Sequence, residues 1–96
     1  MRLIVSAEAE ADLRAIIRFT TLEWGIERAG SYARGLGERL QLLREHPELG
    51  PPADEISPGL RRYPYLSHNA FYRIGKDEVR IVRILHKRMG SGRHLP

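Results

Sequence analysis

The stretch that decides the fold is residues 69–86, which read NAFYRIGKDEVRIVRILH. Runs rich in aromatic and β-branched residues flank the tripeptide Gly-Lys-Asp at 75–77, and this composition is typical of two strands joined by a tight turn. The pattern predicts strands over 69–74 and 78–86, paired within one antiparallel meander.

Two shorter strands are predicted outside this hairpin. Leu60–Tyr65 precedes it and is expected at a sheet edge, because Pro64 has no N–H to donate to a neighbouring strand. Leu3–Val5 is expected to be the first strand of the chain. Residues 47–58 are rich in proline and are interpreted as a loop within the same domain.

The arginines of the last strand constrain its geometry. Arg80 and Arg83 have opposite parity, so they leave the core face together only if a β-bulge lies between them. One of the two is therefore a candidate for a functional face of the sheet.

Two helices are predicted between the first strand and the loop. Ser6 is a suitable N-cap for the first helix, and Gly25 is a suitable stop. The second helix begins at Ile26 or Glu27 and ends before Pro47. The two apolar stripes are Leu13, Ile16, Ile17, Thr20 and Trp24, and then Ala29, Tyr32, Ala33, Leu36, Leu40 and Leu43.

The predicted fold class is α+β, in β-α-α-β-β-β order, as a single domain over residues 1–96. A helical hairpin packs on an antiparallel sheet, and a short C-terminal tail follows. The other face of the sheet, or the tail, is expected to be free for a partner, and Trp24 is expected to pack within the hairpin.

Three glycines weaken the second helix, each by about 1 kcal/mol of helix stability relative to alanine, unless they allow close helix–helix approach. These are Gly30, Gly35 and Gly37.

Composition narrows the possible functions. The chain has 96 residues, no cysteine and no run of 18 apolar residues, which predicts one domain without disulfides, thiolate metal sites or a membrane span. The apolar start at Met1–Val5 is too short for a secretory signal, so a cytoplasmic location is expected. Residues 1–50 carry 7 Lys/Arg and 8 Asp/Glu. Residues 51–96 carry 9 Lys/Arg but only 4 Asp/Glu. The basic second half favours an anionic partner.

Catalytic and metal motifs are weak in this sequence. The histidines lack the i, i+3 or i, i+4 spacing of a helical metal site, and no serine lies in a Gly-x-Ser-x-Gly context, so neither a metal nor a cofactor is expected. The histidines are His46, His68, His86 and His94. Metal-free RNA cleavage stays open, with His86 or His94 moving protons and Arg61, Arg73, Arg83 or Arg88 stabilising phosphorane charge. The alternative is that these arginines form salt bridges or contact a protein.

Several short patterns follow one another along nearly the whole chain. They are Ser6-x-x-Ala9-x-x-Asp12-Leu13-x-x-Ile16, Trp24-Gly25-x-x-x-Ala29-x-x-Tyr32-x-x-x-Leu36, His46-Pro47-x-x-Gly50, Pro58-Gly59-Leu60-Arg61, Phe71-Tyr72-Arg73 and Arg83-Ile84-Leu85-His86-x-x-Met89-x-x-x-Arg93-His94-Leu95. In this order and at this spacing they resemble the ParE branch of the ParE/RelE toxin superfamily. RelE relatives typically have a tyrosine or histidine near the C-terminus. The last tyrosine here is Tyr72, which favours the ParE branch, while His86 and His94 keep the RelE-like reading open.

The resemblance implies the toxin of a type II toxin–antitoxin module. Such a toxin blocks DNA gyrase by binding, without catalysis, and forms a hetero-oligomer with a ParD-like antitoxin whose C-terminal segment wraps it. Neither a membrane nor a small-molecule substrate is implied. Two alternatives are a RelE-like ribosome-dependent mRNA endonuclease and a basic nucleic-acid-binding module.

Residues for each role follow from this resemblance and from the apolar stripes. Expected antitoxin contacts are Leu13, Ile16, Ile17, Trp24, Tyr32, Leu36, Leu40, Arg61, Arg62, Arg73 and Arg83. Expected target contacts lie in the tail, which is predicted to be exposed and adaptable: Lys87, Arg88, Met89, Arg93, His94 and Leu95. If the chain were an RNase, the catalytic residues would be His86, His94 and Arg83.

Overall fold

A computed structural model of the chain describes residues 1–90 and 94–95. The order of elements confirms the predicted α+β class. The elements are β1 (Arg2–Val5), α1 (Ala7–Trp24), α2 (Ile26–Glu45), β2 (Arg61–Tyr65), β3 (His68–Gly75) and β4 (Glu78–His86). Within the described residues, no helix has an apolar stretch long enough to cross a lipid bilayer.

The sheet has the strand order β1-β4-β3-β2. Strands β2, β3 and β4 form the predicted antiparallel meander, and β2 lies at an edge as its proline required. Strand β1 pairs in parallel with β4, with Leu3 opposite Val79. The prediction of a wholly antiparallel sheet was therefore wrong, because local periodicity does not encode the relative direction of strands that are far apart in the chain.

Two local signals define the helical hairpin. The Ser6 hydroxyl oxygen accepts the N–H of Ala9 at 3.0 Å, and the same hydroxyl donates to the Val82 carbonyl at 2.9 Å, which ties the start of α1 to β4. Gly25 separates the helices at φ 93°, a conformation that a side chain would strain. Both predicted boundaries are therefore correct.

A β-bulge interrupts β4. Tyr72 lies opposite Ile81 and Phe71 lies opposite Arg83, so Val82 is an extra residue without a partner in β3. The bulge reverses the parity of the residues that follow it. Arg80 lies opposite Arg73 and Arg83 lies opposite Phe71, so the two arginines share one face of the sheet, as a bulge between them predicts. Arg80 is exposed there, whereas the Arg83 guanidinium reaches Asp12 of α1.

Both faces of the sheet are covered. On the helix side the fully buried cluster comprises Ala9, Leu36, Leu40, Leu43, Ala70, Tyr72, Val79, Ile81 and Ile84. On the opposite side a second cluster comprises Ala53, Leu60, Phe71, Leu85 and Leu95. The expectation of a free second face was therefore wrong, because the proline-rich loop folds back over it and the tail adds a leucine.

The Tyr65 side chain of β2 closely approaches α2 at Gly35. A Cβ atom at Gly35 would lie 2.0 Å from the hydroxyl oxygen of Tyr65, whereas one at Gly37 would have no neighbour within 4 Å. The close contact is thus between a helix and a strand; the alternative of close approach between the two helices is not seen at Gly35. It allows the Tyr65 ring to pack edge-on against Tyr32, with ring centroids 5.1 Å apart.

Candidate functional site

A groove of about 520 Å³ lies between the helical hairpin and the ends of β3 and β4. Its wall comes from the C-terminal half of α1 and the start of α2, and its floor from Tyr32 of α2, the β2–β3 turn and the end of β4. The lining includes Ile16, Phe19, Trp24, Tyr32, His68 and His86. An open, mostly apolar concavity of this kind is a usual location for a ligand or partner segment.

Large apolar side chains surround the closed end of the helical hairpin. Leu22 is 80% exposed, Ile26 78%, Phe19 64% and Trp24 62%. Scattered exposed apolar residues are normal, but four large ones within eight consecutive positions are a local concentration that indicates an interaction surface. We call these four residues the hairpin tip. The expectation that Trp24 packs inside the hairpin was wrong, because Gly25 turns the chain so that its neighbours face outward.

A tyrosine and two histidines form the floor of the groove. The Tyr32 hydroxyl oxygen lies 2.7 Å from Nδ1 of His68, and the His68 and His86 rings meet edge to face with centroids 5.2 Å apart. The bulge at Val82 creates this pair: His68 lies opposite His86, whereas in an unbulged hairpin it would lie opposite Leu85. We call Tyr32, His68 and His86 the imidazole floor.

The environment keeps His68 and Tyr32 uncharged at neutral pH. Burial, with a smaller contribution from neighbouring His86, lowers the pKa of His68 to about 4, and Asp12 opposes the change. Burial also raises the pKa of the Tyr32 hydroxyl. Both groups therefore act at pH 7 as hydrogen-bonding groups without charge.

Arg83 forms an ion pair inside the fold. Its Nε and Nη2 atoms lie 2.8 and 2.9 Å from the two carboxylate oxygens of Asp12, and Nη1 donates to the His94 carbonyl at 3.1 Å. The hydrogen bond to Asp12 is the main cause of a raised pKa for Arg83. This guanidinium is thus engaged by α1 and the tail, although the sequence suggested an antitoxin contact or a catalytic cation.

The other predicted contact arginines hold the proline-rich loop. Arg61 Nε donates to the Gly50 carbonyl at 2.7 Å, and Arg73 Nη1 donates to the Pro58 carbonyl at 2.6 Å. Arg62 pairs with Glu55 at 3.1 Å. Their strongest polar contacts are therefore internal, and a partner would have to share or replace them.

The predicted apolar contacts separate into three groups. Ile16, Trp24 and Tyr32 line the groove. Ile17 is 41% exposed, and Leu13 packs partly against the core. The expectation for Leu36 and Leu40 conflicts with their position, because they are 1% and 4% exposed in the core and offer a partner no surface.

The predicted tail contacts also differ in position. Lys87, Arg88 and Met89 are exposed after β4. Leu95 was expected to be exposed, yet it is 9% exposed, because its apolar side chain packs in the second core cluster with Ala53 and Leu85. His94 is partly buried, and Arg93 lies outside the described residues.

The RNase residues do not form one constellation. The His86 ring packs against His68, whereas Arg83 contacts Asp12 and the backbone of His94. Across residues 1–90 and 94–95, no hydrogen bond links the side chains of His86, His94 and Arg83. The Arg83 guanidinium and the His86 ring are thus engaged by different partners.

Sequence reasoning missed several groove residues. Phe19 lies three positions after Ile16, and the density of large apolar residues around Gly25 was a usable signal for an exposed hairpin tip. Pairing His68 with His86 required the bulged register, and the sequence indicated a bulge without indicating its position.

Comparison with known proteins decides the family. A family model described as the ParE toxin of the type II toxin–antitoxin system parDE matches residues 3–90. The chain belongs to the ParE toxin family. This ParE chain is 40% identical over 91 residues to Toxin ParE1 of Caulobacter vibrioides, which covers 95% of this chain and 94% of that protein. It is 37% identical over 95 residues to Toxin ParE1 of Mycobacterium tuberculosis, and this match covers 98% of this chain and 97% of that protein.

A solved structure agrees with this ParE assignment. The chain superposes on a chromosomal ParDE toxin–antitoxin system from P. aeruginosa with a TM-score of 0.80 and 27% sequence identity, covering 90% of this chain and 95% of that one. The resemblance seen in the sequence is therefore confirmed, and the fold is that of a ParDE component.

Proposed function

We propose that this ParE-family toxin inhibits DNA gyrase by binding it, without catalysing a reaction. A ParD-like antitoxin neutralises the toxin by covering the groove, and the two proteins form a hetero-oligomer. The observation that carries the proposal is the hairpin tip, whose four large apolar residues are each at least 62% exposed beside the groove. Membership of a toxin–antitoxin family supports the presence of an antitoxin partner.

Burial energetics support an antitoxin on this surface. Fully covering a side chain such as Leu22 or Phe19 contributes about 1.5–3 kcal/mol. An amphipathic segment that fills the groove and covers the tip would bury several such side chains at once, which suits recognition of a helix or an extended peptide. Such a segment orders on binding and gains its affinity mainly from these apolar contacts.

Three of the four candidate catalytic arginines, Arg61, Arg73 and Arg83, are engaged within the fold and only Arg88 is exposed, which favours binding over catalysis. RNA cleavage needs cations free to approach a phosphate. Arg83 is held by Asp12, and Arg73 is held by the Pro58 carbonyl and the Ser57 hydroxyl. Accordingly, the cations best placed to meet a target are the exposed Lys87 and Arg88 in the turn after β4.

A plasmid supercoiling assay tests the gyrase proposal. Purified gyrase, ATP and relaxed plasmid are incubated with antitoxin-free, folded protein. Inhibition is expected, with linear DNA released after detergent and protease treatment. Charge reversal of Lys87 and Arg88 should relieve inhibition, whereas Lys76→Glu is the matched control, since Lys76 is an exposed lysine in the turn at the opposite end of β4.

Normal supercoiling by verified folded protein would contradict the gyrase proposal. The remaining toxin hypothesis would then be ribosome-dependent mRNA cleavage, which His86→Ala should abolish without unfolding the protein. A steep loss of nucleic-acid affinity with salt, without growth inhibition, would instead support a plain basic binding module.

A further inference from the structure

We propose that the groove binds a partner segment carrying a carboxylate beside an apolar side chain, with the carboxylate seated against His68, His86 and Arg28. The apolar side chain packs on the wall formed by Phe19 and Trp24. This inference deepens the proposed function and rests on it only in taking the groove as the surface that the antitoxin covers.

The hydrogen bonds of the two imidazoles define what the floor offers. Nδ1 of His86 accepts the backbone N–H of Arg88 at 3.0 Å, so a neutral His86 carries its proton on Nε2. Nδ1 of His68 is occupied by the Tyr32 hydroxyl at 2.7 Å. Within the described part of the chain neither Nε2 atom has a hydrogen-bond partner, although both rings line the groove. The floor therefore holds two nitrogens available to a ligand.

A cation lies at the wall of the same groove. The guanidinium carbon of Arg28 lies 5.1 Å from the centre of the Trp24 ring, which is a cation–π arrangement. Arg28 forms no ion pair with any residue that the structure describes. Its charge and the indole face are thus presented together, so an apolar group and a carboxylate on one ligand would each find a counterpart.

The groove does not supply this carboxylate itself. The acidic group that acts on His68 is Asp12 of α1, and both of its oxygens are already bound by Arg83 and by the backbone N–H of Ile84 at 2.8 Å. The phenol of Tyr32 faces His68 and stays uncharged at neutral pH, because burial raises its pKa. A carboxylate from outside would complete the charge balance of the site.

Binding of a carboxylate here is coupled to a proton. A carboxylate beside an imidazole favours the charged imidazolium, so the complex takes up a proton that the free protein does not hold. The pKa of His68 in the free protein is about 4. If the ligand returns this pKa to its ordinary value of about 6.5, affinity should be about tenfold higher at pH 5.5 than at pH 8. A purely apolar ligand would show no such dependence.

The test uses the full chain and two matched probes, 4-phenylbutyrate and its uncharged amide. Binding is followed by the emission of Trp24, the single tryptophan of the chain, and by the Cε1–H resonances of the histidines. We expect the acid to bind about tenfold more tightly at pH 5.5 than at pH 8, and the amide to bind equally at both. Equal affinities of acid and amide at pH 5.5 would overturn the inference.

Two variants keep the test independent of folding. His86→Asn retains an acceptor near the Nδ1 position for the Arg88 N–H while removing Nε2, and Arg28→Gln changes an exposed side chain. Each should reduce binding of the acid at least threefold and leave the amide unchanged. Leu42→Ala, an exposed apolar position of α2 outside the groove, is the control and should change neither. Unchanged acid binding in both groove variants would also refute the assignment.

The cognate antitoxin separates this inference from the proposed function. If the acid binds as expected but the antitoxin does not displace it, the carboxylate site stands and the antitoxin assignment to the groove fails. If the antitoxin shifts the Trp24 emission while acid and amide bind alike, the assignment of the groove stands and the carboxylate inference fails.

Discussion

Asp12 and Arg83 are 71 residues apart in the chain and form a two-point ion pair, with N–O distances of 2.8 and 2.9 Å. Asp12 also accepts the backbone N–H of Ile84 at 2.8 Å, directly after the bulged part of β4. One carboxylate therefore satisfies both a guanidinium and a backbone donor of β4 that lies beyond the last β1 pair, Val5 with Ile81. This arrangement fastens α1 to the sheet at the position where the strand changes parity.

Arg83→Ala should destabilise the fold. Its loss leaves Asp12 without its main counter-charge in a position only 14% exposed, and hydrogen bonds to charged groups contribute about 1.5–3 kcal/mol. Urea unfolding should show a loss of about 2–3 kcal/mol. Arg80→Ala is the matched control, since its exposed pair with Glu78 should contribute less than about 1 kcal/mol. Equal effects of the two substitutions would contradict the structural role of Arg83.

Phe19→Ala should weaken binding of the cognate antitoxin at least tenfold, which corresponds to about 1.4 kcal/mol. Phe19 is 64% exposed at the hairpin tip, so its truncation removes contact area without opening the core. Titration calorimetry gives the affinity, and the blue shift of Trp24 emission reports burial of the groove. Leu42→Ala is the control: Leu42 is 45% exposed on α2 outside the groove, so its truncation should leave the affinity unchanged. A weaker complex with the control variant only would place the antitoxin on another face.

Gly35→Ala and Gly37→Ala should change stability in opposite directions. Both gain helix propensity of about 1 kcal/mol. A methyl group at position 37 meets nothing within 4 Å, whereas at position 35 it would lie 2.0 Å from the Tyr65 hydroxyl and force that ring away from Tyr32. In thermal unfolding, the melting temperature of Gly37→Ala should therefore be higher than that of the parent, and the melting temperature of Gly35→Ala should be lower. Adding Tyr65→Phe should recover part of the loss at position 35, and no recovery would point to a different clash.

Stability should fall as the pH drops from about 6.5 toward 4, in part because of His68. In the unfolded chain His68 has its ordinary pKa of about 6.5 and takes up a proton in this range, whereas the folded protein holds the pKa near 4 and does not. The stability contribution is thus complete above pH 6.5 and is lost on acidification. Urea midpoints for the parent and for His68→Asn should converge or cross between pH 7 and pH 4.5. Parallel pH profiles would show that His68 does not titrate differently on folding.

Much of the fold could be read from local patterns. Ser6 and Gly25 gave usable helix boundaries, and the β3–β4 hairpin followed from composition. The opposite parity of Arg80 and Arg83 meant that both could leave the core face only with a bulge between them. These features depend on residues within a few positions of one another, where backbone geometry and side-chain period are sufficient. The candidate site was only partly predictable: Ile16, Trp24 and Tyr32 were found, but His68 and Phe19 were not.

The sequence by itself determined the order of elements, their approximate ends and the family. Only the tertiary structure decided that β1 runs parallel to β4, that Leu95 and the proline-rich loop cover the second sheet face, and that Arg83 pairs with Asp12. The same holds for the imidazole floor, since the bulge at Val82 shifts the register by one residue and brings His68 opposite His86. Such contacts join residues that are distant in the chain, and their free energy depends on how whole layers pack, which no local pattern encodes.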